Sequence, residues 1–392
     1  MPVSVITGAR QTGKTTLAKE SLGDRRYYTL DEVRIRGLAQ DDPDALFDDL
    51  PVTIDEVQRV PDLLSAAKRR VDEKRSPGSI VLTGSANLAL MKTVSESLAG
   101  RAYYLHLPPF CASEWNRNRQ ALAAIDALFT DDFSIAQWPE GAVDWVSWLM
   151  RGGYPSALEI EADVDRSLWF AGYLETYLER DLRQLSDVAS LPDFGRMMRL
   201  LALRSARRLN QAEVARDAAL PAPTVHRYIN LLETGYQIVR LTNYRRNTTT
   251  ALKKIPKLLW TDCGLAAWLA GVQASGLEDR ADCGFWLEQL VFQTLQAWAA
   301  LDPRRHVHFW SDDSSKGEID FILEQGGRLV ALEVKAARQA GPADARWISD
   351  FQRTVGKTGS NLVRGAVLHT GRENCPIGKG LHALSLHSFA PG

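Results

Sequence analysis

Gly8-Ala9-Arg10-Gln11-Thr12-Gly13-Lys14-Thr15-Thr16 follows directly on the apolar run Val3–Ile6. The stretch matches G-x-x-x-x-G-K-[ST], a phosphate-binding loop set between a strand and a helix. Its flanks agree: a short buried strand should end near Thr7, and a helix should open at Lys14 and continue through Leu17-Ala18-Lys19-Glu20. The glycines let the backbone turn so that its N–H groups surround a phosphate, and the helix N-terminus adds partial positive charge. Lys14 would then reach the β- and γ-phosphates of ATP, and the Thr15 hydroxyl would hold Mg²⁺.

Working outward, Pro51-Val52-Thr53-Ile54-Asp55-Glu56 is an apolar strand ending in two acids. Asp55 is suited to orient Mg²⁺ through its water shell, and Glu56 to polarise an attacking water. The simpler alternative is a strand that runs into a solvated acidic turn. A third apolar strand, Ser79-Ile80-Val81-Leu82, leads into Thr83-Gly84-Ser85-Ala86-Asn87. Ser85, with Thr83 and Asn87 beside it, is the candidate sensor of the γ-phosphate. A strand around Tyr27–Leu30, a short acidic helix over Asp41–Leu50 and a helix over Asp62–Lys74 complete an alternating pattern. That pattern predicts a parallel α/β sheet over residues 1–110, closed by Pro108-Pro109.

At 392 residues the chain is long enough for two to four domains. Apolar content of 45% and charged content of 24% are those of a soluble globular protein. Cys111, Cys263, Cys283 and Cys375 lie far apart without a C-x-x-C pair. They predict reduced thiols in a cytoplasmic chain, with no zinc site or disulfide framework. No leader and no membrane span are expected; the most apolar stretch, Leu258–Val272, contains Asp262 and reads as a buried helix segment.

Residues 111–192 have a helical, tryptophan-rich pattern, with Arg151-Gly152-Gly153-Tyr154-Pro155 as a loop between helices. A long helix is predicted over Ser167–Leu185, ending in charged Glu179-Arg180-Asp181; its stripe Trp169/Tyr173/Tyr177 reads as core packing. Residues 195–260 carry a formal charge of +10, against −11 for the remainder. The basic residues run from Arg196 to Lys257 and include Arg245, Arg246, Lys253 and Lys254. Within this block, Asn210–Ala215 starts a short helix, Leu220-Pro221-Ala222-Pro223 breaks it, and Thr224–Glu233 forms a second helix. A strand follows over Ile238–Asn243. The order predicts a winged helix-turn-helix over 193–255, with Thr224, His226, Arg227 and Asn230 exposed on the second helix. Two readings stay open: a DNA-binding module, or a packing module whose arginines are merely solvated.

In the C-terminal part, Glu318–Leu323 and Val330–Lys335 both alternate polar and apolar residues around Gln325-Gly326-Gly327-Arg328. A Gly-Gly pair suits a two-residue hairpin turn. Pairing Gln325 with Arg328 puts Asp320 opposite Glu333 and Glu318 opposite Lys335, all on one face. Two opposed carboxylates repel unless a cation lies between them. An Asp followed by Glu-x-Lys on the next strand is the PD-(D/E)-x-K nuclease arrangement. Asp320 and Glu333 would bind Mg²⁺ or Mn²⁺, and Lys335 would orient the nucleophilic water. Glu288, on a helix over Phe285–Ala299, is the candidate additional ligand, and Gln352 a candidate substrate contact. The alternative is an ordinary hairpin with a Glu318–Lys335 ion pair.

Taken in order, these segments resemble prokaryotic AAA-type P-loop ATPases that carry a C-terminal DUF4143 domain, related to PD-(D/E)-x-K nucleases. The residues that carry the resemblance are Gly8–Thr16, Ile54-Asp55-Glu56-Val57-Gln58, Leu82-Thr83-Gly84-Ser85 and Leu98-Ala99-Gly100-Arg101. Further matches are Arg151–Pro155, the basic block, Pro256–Leu265, Gly317–Phe321 and Leu332–Lys335. The resemblance implies an α/β core, a helical lid, a winged helix-turn-helix and a nuclease-like α/β domain over 256–392. It also makes Arg101 a candidate arginine finger or sensor, where the residues alone allow an ordinary loop cation. Similar proteins carry a helical segment before the P-loop strand, which helps to hold the base; here the strand starts at Val3. The expected activity is Mg²⁺-dependent ATP hydrolysis, coupled to DNA binding or processing. The alternative is a nucleotide-controlled protein-interaction switch with slow turnover and no nuclease activity. A homo-oligomer or a protein partner is compatible with both.

Overall fold

The computed structural model describes residues 1–20, 22–84, 98–118, 120–139, 144–178, 190–245, 254–312, 317–356 and 361–389. They form two units. One comprises Met1–Pro108, Tyr173–Leu191 and Ile229–Gln237; the other comprises Pro109–Gly172, Pro192–Tyr228 and Ile238–Gly392.

The first unit is built on β1 (Val3–Thr7), α1 (Lys14–Glu20), β2 (Arg26–Thr29), α2 (Val33–Asp41), β3 (Val52–Asp55), α3 (Leu63–Glu73), β4 (Ile80–Thr83) and β5 (Ala102–His106). The five strands pair in parallel in the order β2-β3-β4-β1-β5. Strands β3 and β4 are buried throughout, so they read as continuous apolar runs, as a sheet covered on both faces requires. Leu63, Leu64, Ala67 and Val71 of α3 pack with Val5, Ile54 and Leu82 in one core. The predicted acidic helix over Asp41–Leu50 is instead the end of α2 and a single 3₁₀ turn at Ala45–Phe47. Strand β5 was not anticipated, because Arg101–His106 is polar enough to pass for a loop; its residues are largely solvent-accessible on this edge.

The second unit begins with helices α4 (Ala112–Trp115), α5 (Gln120–Ala127), α6 (Trp145–Arg151), α7 (Pro155–Leu158) and, as far as Gly172, α8 (Asp163–Thr176). The helix expected at Ser167 starts at Asp163, and Glu179-Arg180-Asp181 lies outside the described residues. The basic block supplies α9 (Leu191–Ala202), β6 (Arg207–Arg208), α10 (Gln211–Ala218), α11 (Ala222–Thr234), β7 (Ile238–Leu241) and β8 (Lys257–Trp260). The Asn210 side chain caps α10, accepting from the Ala212 and Glu213 N–H groups. The strands form an antiparallel sheet ordered β6-β8-β7. Residues 246–253, where the sequence places the wing with Arg246 and Lys253, lie outside the described residues.

Leu258–Val272 is not one helix segment. It divides into β8 and α12 (Cys263–Leu269), because the Asp262 side chain caps α12 by accepting the Leu265 N–H at 2.6 Å. There follow α13 (Cys283–Ala300), β9 (Arg305–Asp312), β10 (Gly317–Gln325), β11 (Arg328–Lys335), α14 (Arg346–Gly356), β12 (Asn361–His369), β13 (Cys375–Gly378) and β14 (Leu381–Ser385). The six strands order as β13-β14-β12-β11-β10-β9, with β11, β12 and β14 parallel. Ile348 and Phe351 of α14 pack with Ile319, Ile322, Ala331 and Val367. Phe321 stacks on Phe292 of α13, with ring centroids 6.4 Å apart. Gly326 and Gly327 take φ of 58° and 80°, and the hairpin register runs from Gln325↔Arg328 to Phe321↔Leu332, as the Gly-Gly turn predicts.

Helix α13 is buried on nearly every side, yet carries Gln289, Gln293 and Gln296. These amides serve the irregular chain from Trp260 to Cys263. Gln289 accepts the Trp260 N–H and donates to the Trp260 carbonyl, at 2.9 and 2.7 Å. Gln293 accepts the Cys263 N–H at 2.8 Å and donates to the Phe110 carbonyl at 2.6 Å. Gln296 donates to the Thr261 carbonyl at 3.1 Å. Asp262, fully buried, also accepts the Gly153 N–H at 2.6 Å, so the Arg151–Pro155 loop and the Asp262–Leu265 turn are one interlocked structure.

Gly153 sits where a Cβ would lie 2.0 Å from the Phe110 carbonyl oxygen and 2.4 Å from Gln293 Nε2. Gly153→Ala should cost on the order of 1–3 kcal/mol or more, since backbone must move. Gly172→Ala, in α8 with nothing within 4 Å, should be neutral or slightly stabilising. Denaturant midpoints of the two variants check the contrast; equal midpoints would contradict it.

Candidate functional site

Asp55, 2% exposed, closes β3 on the edge of the parallel sheet from which the Gly8–Thr16 loop departs. Its Oδ2 accepts the Thr15 hydroxyl at 2.9 Å and the Tyr27 hydroxyl at 2.8 Å. Its Oδ1 accepts the Thr83 hydroxyl at the end of β4. One carboxylate therefore gathers α1, β2, β3 and β4. Burial, followed by the hydrogen bond and charge of Asp55, pushes the Tyr27 phenol up, so Tyr27 remains a donor. Tyr27 was not singled out from the sequence; an aromatic residue in a short strand carries no signal of this contact.

The loop itself turns through positive φ at Gly8, Gln11 and Gly13 (150°, 59° and 89°). Ala9, Thr12 and Lys14 are buried, and the Thr12 hydroxyl donates to the Ala9 carbonyl at 3.0 Å. Lys14 Nζ donates to the Ala9 and Gly8 carbonyls, at 2.6 and 3.2 Å. Thr15 and Thr16 lie on the exposed first turn of α1, and Arg10 is half-buried in the loop. Glu56 follows Asp55 in a left-handed conformation, φ 60°, and accepts a hydrogen bond from the Gln58 amide. Burial, then the Asp55 charge, raises the Glu56 carboxyl above its ordinary range. Ser85 and Asn87 lie outside the described residues.

Arg101 is not part of this cluster. The register Val3↔Ala102 to Thr7↔His106 puts it at the opposite end of the strands from the phosphate loop. There its guanidinium holds Asp72 of α3 through contacts of 2.6 and 2.9 Å. A sensor of the same chain's phosphates is therefore excluded by placement. His106, by contrast, ends β5 beside Thr7. It stacks on Tyr236 with ring centroids 4.5 Å apart, and the Tyr236 hydroxyl donates to Thr7 Oγ1 at 3.1 Å. Tyr236 holds a positive φ of 56° at the turn that leads into β7.

In the second unit the hairpin brings Asp320 and Glu333 together, but their partners differ from the expected ones. Asp320 Oδ2 accepts the Val334 N–H at 2.9 Å. Lys257 Nζ stands 2.5 Å from Glu288 Oε2, 3.0 Å from Glu318 Oε1 and 3.2 Å from Asp320 Oδ1. Glu318 also meets Arg208 at 3.2 Å and so is not the partner of Lys335. Lys335 instead donates to Glu333 at 2.6 Å. Burial, then the Asp320 charge, pushes Glu333 up to about 8. Where the sequence predicts a divalent metal shared by Glu288, Asp320 and Glu333, the Lys257 ammonium lies against Glu288, Glu318 and Asp320. Among the described residues no cluster of three His, Cys, Asp or Glu is arranged to hold a metal. From sequence Lys257 is one cation of the basic block among others; its one visible signal is a charge at the head of the apolar run that follows it.

Several described side chains of the basic block are likewise engaged within the fold. Arg196 holds Asp193, Arg204 holds Asp217, and Arg207 lies 4.3 Å over the Phe285 ring. Arg245 donates to the Ser311 carbonyl at 2.5 Å, and His226 meets Gln211 at 3.1 Å.

Residues 1–116 match the family model of an AAA domain. Residues 283–389 match a domain of unknown function, DUF4143. The chain carries an AAA domain at its N-terminus and a DUF4143 domain at its C-terminus. Between them, residues 143–276 match a second domain of unknown function, DUF8612, which spans the boundary drawn from sequence between lid and basic block. Uncharacterized proteins of Mycobacterium bovis and Mycobacterium tuberculosis are each 28% identical over 382 residues, covering 96% of this chain and 78% of theirs. Among solved structures, a Walker-type ATPase of Pyrococcus abyssi is 15% identical, covering 68% of this chain and 91% of its own, with a TM-score of 0.38. RuvB of Thermotoga maritima is 18% identical, covering 61% and 82%, with a TM-score of 0.27. The fold is that of an AAA-type P-loop ATPase, with a mixed α/β sheet domain after it. Among the described residues no helix is long and apolar enough to cross a membrane.

Burial, then the charge of Lys14, lowers His106 from its ordinary value to about 4. A lowered histidine favours the neutral form in the folded state. Its contribution to stability is therefore full above the ordinary histidine value and drains away as pH falls towards 4. His106→Phe keeps a ring against Tyr236 and removes the titration. Urea midpoints measured across that window should fall less steeply for the variant than for the parent; parallel slopes would contradict the burial of a neutral imidazole.

Proposed function

We propose that the chain is a cytoplasmic, magnesium-dependent ATPase that converts ATP and water to ADP and phosphate. The observation that carries this reading is the Asp55 carboxylate taking the Thr15 hydroxyl beside the Gly8–Lys14 loop. Hydroxyl and carboxylate side by side fit the ligand set of Mg²⁺, which Thr15 and Asp55 would hold together. When bound, Mg²⁺ neutralises phosphate oxygens. Lys14 leaves the Gly8 and Ala9 carbonyls to meet the β- and γ-phosphates, and the loop N–H groups of Ala9 to Thr16 close around them. Glu56, directly after β3, takes the proton of the attacking water. Ser85 assists at the γ-phosphate. Arg101 can act as an arginine finger only towards a second copy of the chain, which makes a homo-oligomer part of that role.

A second reading, a nucleotide-controlled switch acting on a protein partner, is favoured over DNA processing by the internal engagement of Arg196, Arg204, Arg207, Arg208 and Arg245. These side chains are already partnered, which leaves less charge to release counterions from a duplex. Duplex DNA should leave turnover unchanged. Stimulation by DNA, with binding that falls steeply with salt, would restore the winged-helix DNA-binding role.

Lys14→Ala should abolish hydrolysis, because the γ-phosphate loses its main side-chain cation. Glu56→Gln should keep nucleotide bound but slow turnover by about 10²-fold or more. Nucleotide binding and phosphate release measured on both variants check this; Glu56→Gln turning over at the parent rate would contradict the assignment of the base.

A further inference from the structure

We propose that the Lys257 ammonium is the resident cation of the Glu288–Glu318–Asp320 cluster, so that the C-terminal domain takes no divalent metal there and cuts no phosphodiester by a metal-dependent route. An ammonium has three N–H donors. Here three carboxylate oxygens from three different side chains lie within 3.2 Å of Nζ; Glu288 and Asp320 accept hydrogen bonds from it and Glu318 pairs with its charge. Lys257 is 1% exposed, Glu288 7% and Asp320 8%, so the ammonium meets these two carboxyl groups largely out of water. Removing one partner from such a group leaves an uncompensated buried charge, which is strongly destabilising. Mg²⁺ or Mn²⁺ would need oxygens at about 2.0–2.2 Å around a point that Nζ already fills.

The lysine is not a loosely placed side chain. Its backbone lies in the central strand of the β6-β8-β7 sheet, paired with Arg208 on one side and Leu241 on the other. The neighbouring carboxylates are also answered from within: Glu318 by Arg208 and Glu333 by Lys335. The cluster thus joins β8, α13 and the β10–β11 hairpin as an internal ionic knot. The carboxylates that the sequence assigns to a metal lie close together, and the cation beside them is supplied by the chain.

Manganese electron paramagnetic resonance on the nucleotide-free full chain tests this, with Asp55→Asn in the background to remove the P-loop ion. With Lys257 intact, no Mn²⁺ that depends on Asp320 should bind. Lys257→Ala should gain one bound Mn²⁺ per chain, and adding Asp320→Asn should abolish the gain. Lys257→Gln, which keeps most of the side-chain volume, serves beside it, with circular dichroism reporting the fold. Variants that fold only when Mn²⁺ is supplied support the proposal in the same way. An Asp320-dependent ion in the chain with Lys257 intact overturns it, as do folded variants that bind none. On supercoiled DNA with Mn²⁺, the parent chain should show no cleavage that is lost in Glu333→Ala; such cleavage would also overturn it.

Discussion

The first unit depends on one buried carboxylate. Asp55 lies at the end of a fully buried strand and would be costly there without partners. Hydroxyls of Thr15, Tyr27 and Thr83 supply them from three other elements. The same bonds that offset the burial also fix the functional geometry. They hold the first turn of α1 against the end of β3, and α1 carries Lys14 and Thr15. Stability and site are therefore not separable at this residue. In the loop before α1, the Gly8 and Ala9 carbonyls bind Lys14.

A different device organises the second unit. Its long buried helix, α13, is polar where the chain beside it is irregular. Gln289, Gln293 and Gln296 satisfy backbone groups that no strand or helix pairs, and Glu288 on the same helix enters the Lys257 cluster. Asp262 does the corresponding work for the Gly152–Gly153 loop. Unpaired buried backbone groups are expensive, and amide side chains, with a donor and an acceptor each, answer both kinds. The sequence pairs that looked like separate motifs, Arg151–Pro155 and Asp262–Leu265, are two halves of one such contact.

Legibility from sequence followed the range of the interactions. The phosphate loop was readable because its chemistry needs fixed residue types at fixed spacing. The hairpin register was readable because Gly326-Gly327 sets a turn and alternation does the rest. Lys257 was not, since its contacts with Glu288 and Asp320 span 31 and 63 residues and leave no local pattern. Tyr27 and His106 were missed for the same reason: each gains its role from a partner on another strand or a distant turn. The split of Leu258–Val272 was within reach, because an Asp before Cys-Gly-Leu is a plain N-cap signal. Arg101 was misplaced as a sensor because a motif gives order along the chain, whereas the strand register decides which end of the sheet a residue occupies.

On the proposed function, Asp55 ties the Thr15 hydroxyl to the sheet and thereby makes nucleotide binding magnesium-dependent. Equilibrium binding of a fluorescent ATP analogue, with Mg²⁺ and with chelator, measures this directly on the parent, Asp55→Asn and Tyr27→Phe. Mg²⁺ should strengthen binding to the parent, strengthen it less in Tyr27→Phe, and have no effect in a folded Asp55→Asn chain. A folded Asp55→Asn chain with the parent's full magnesium dependence would contradict this role of Asp55.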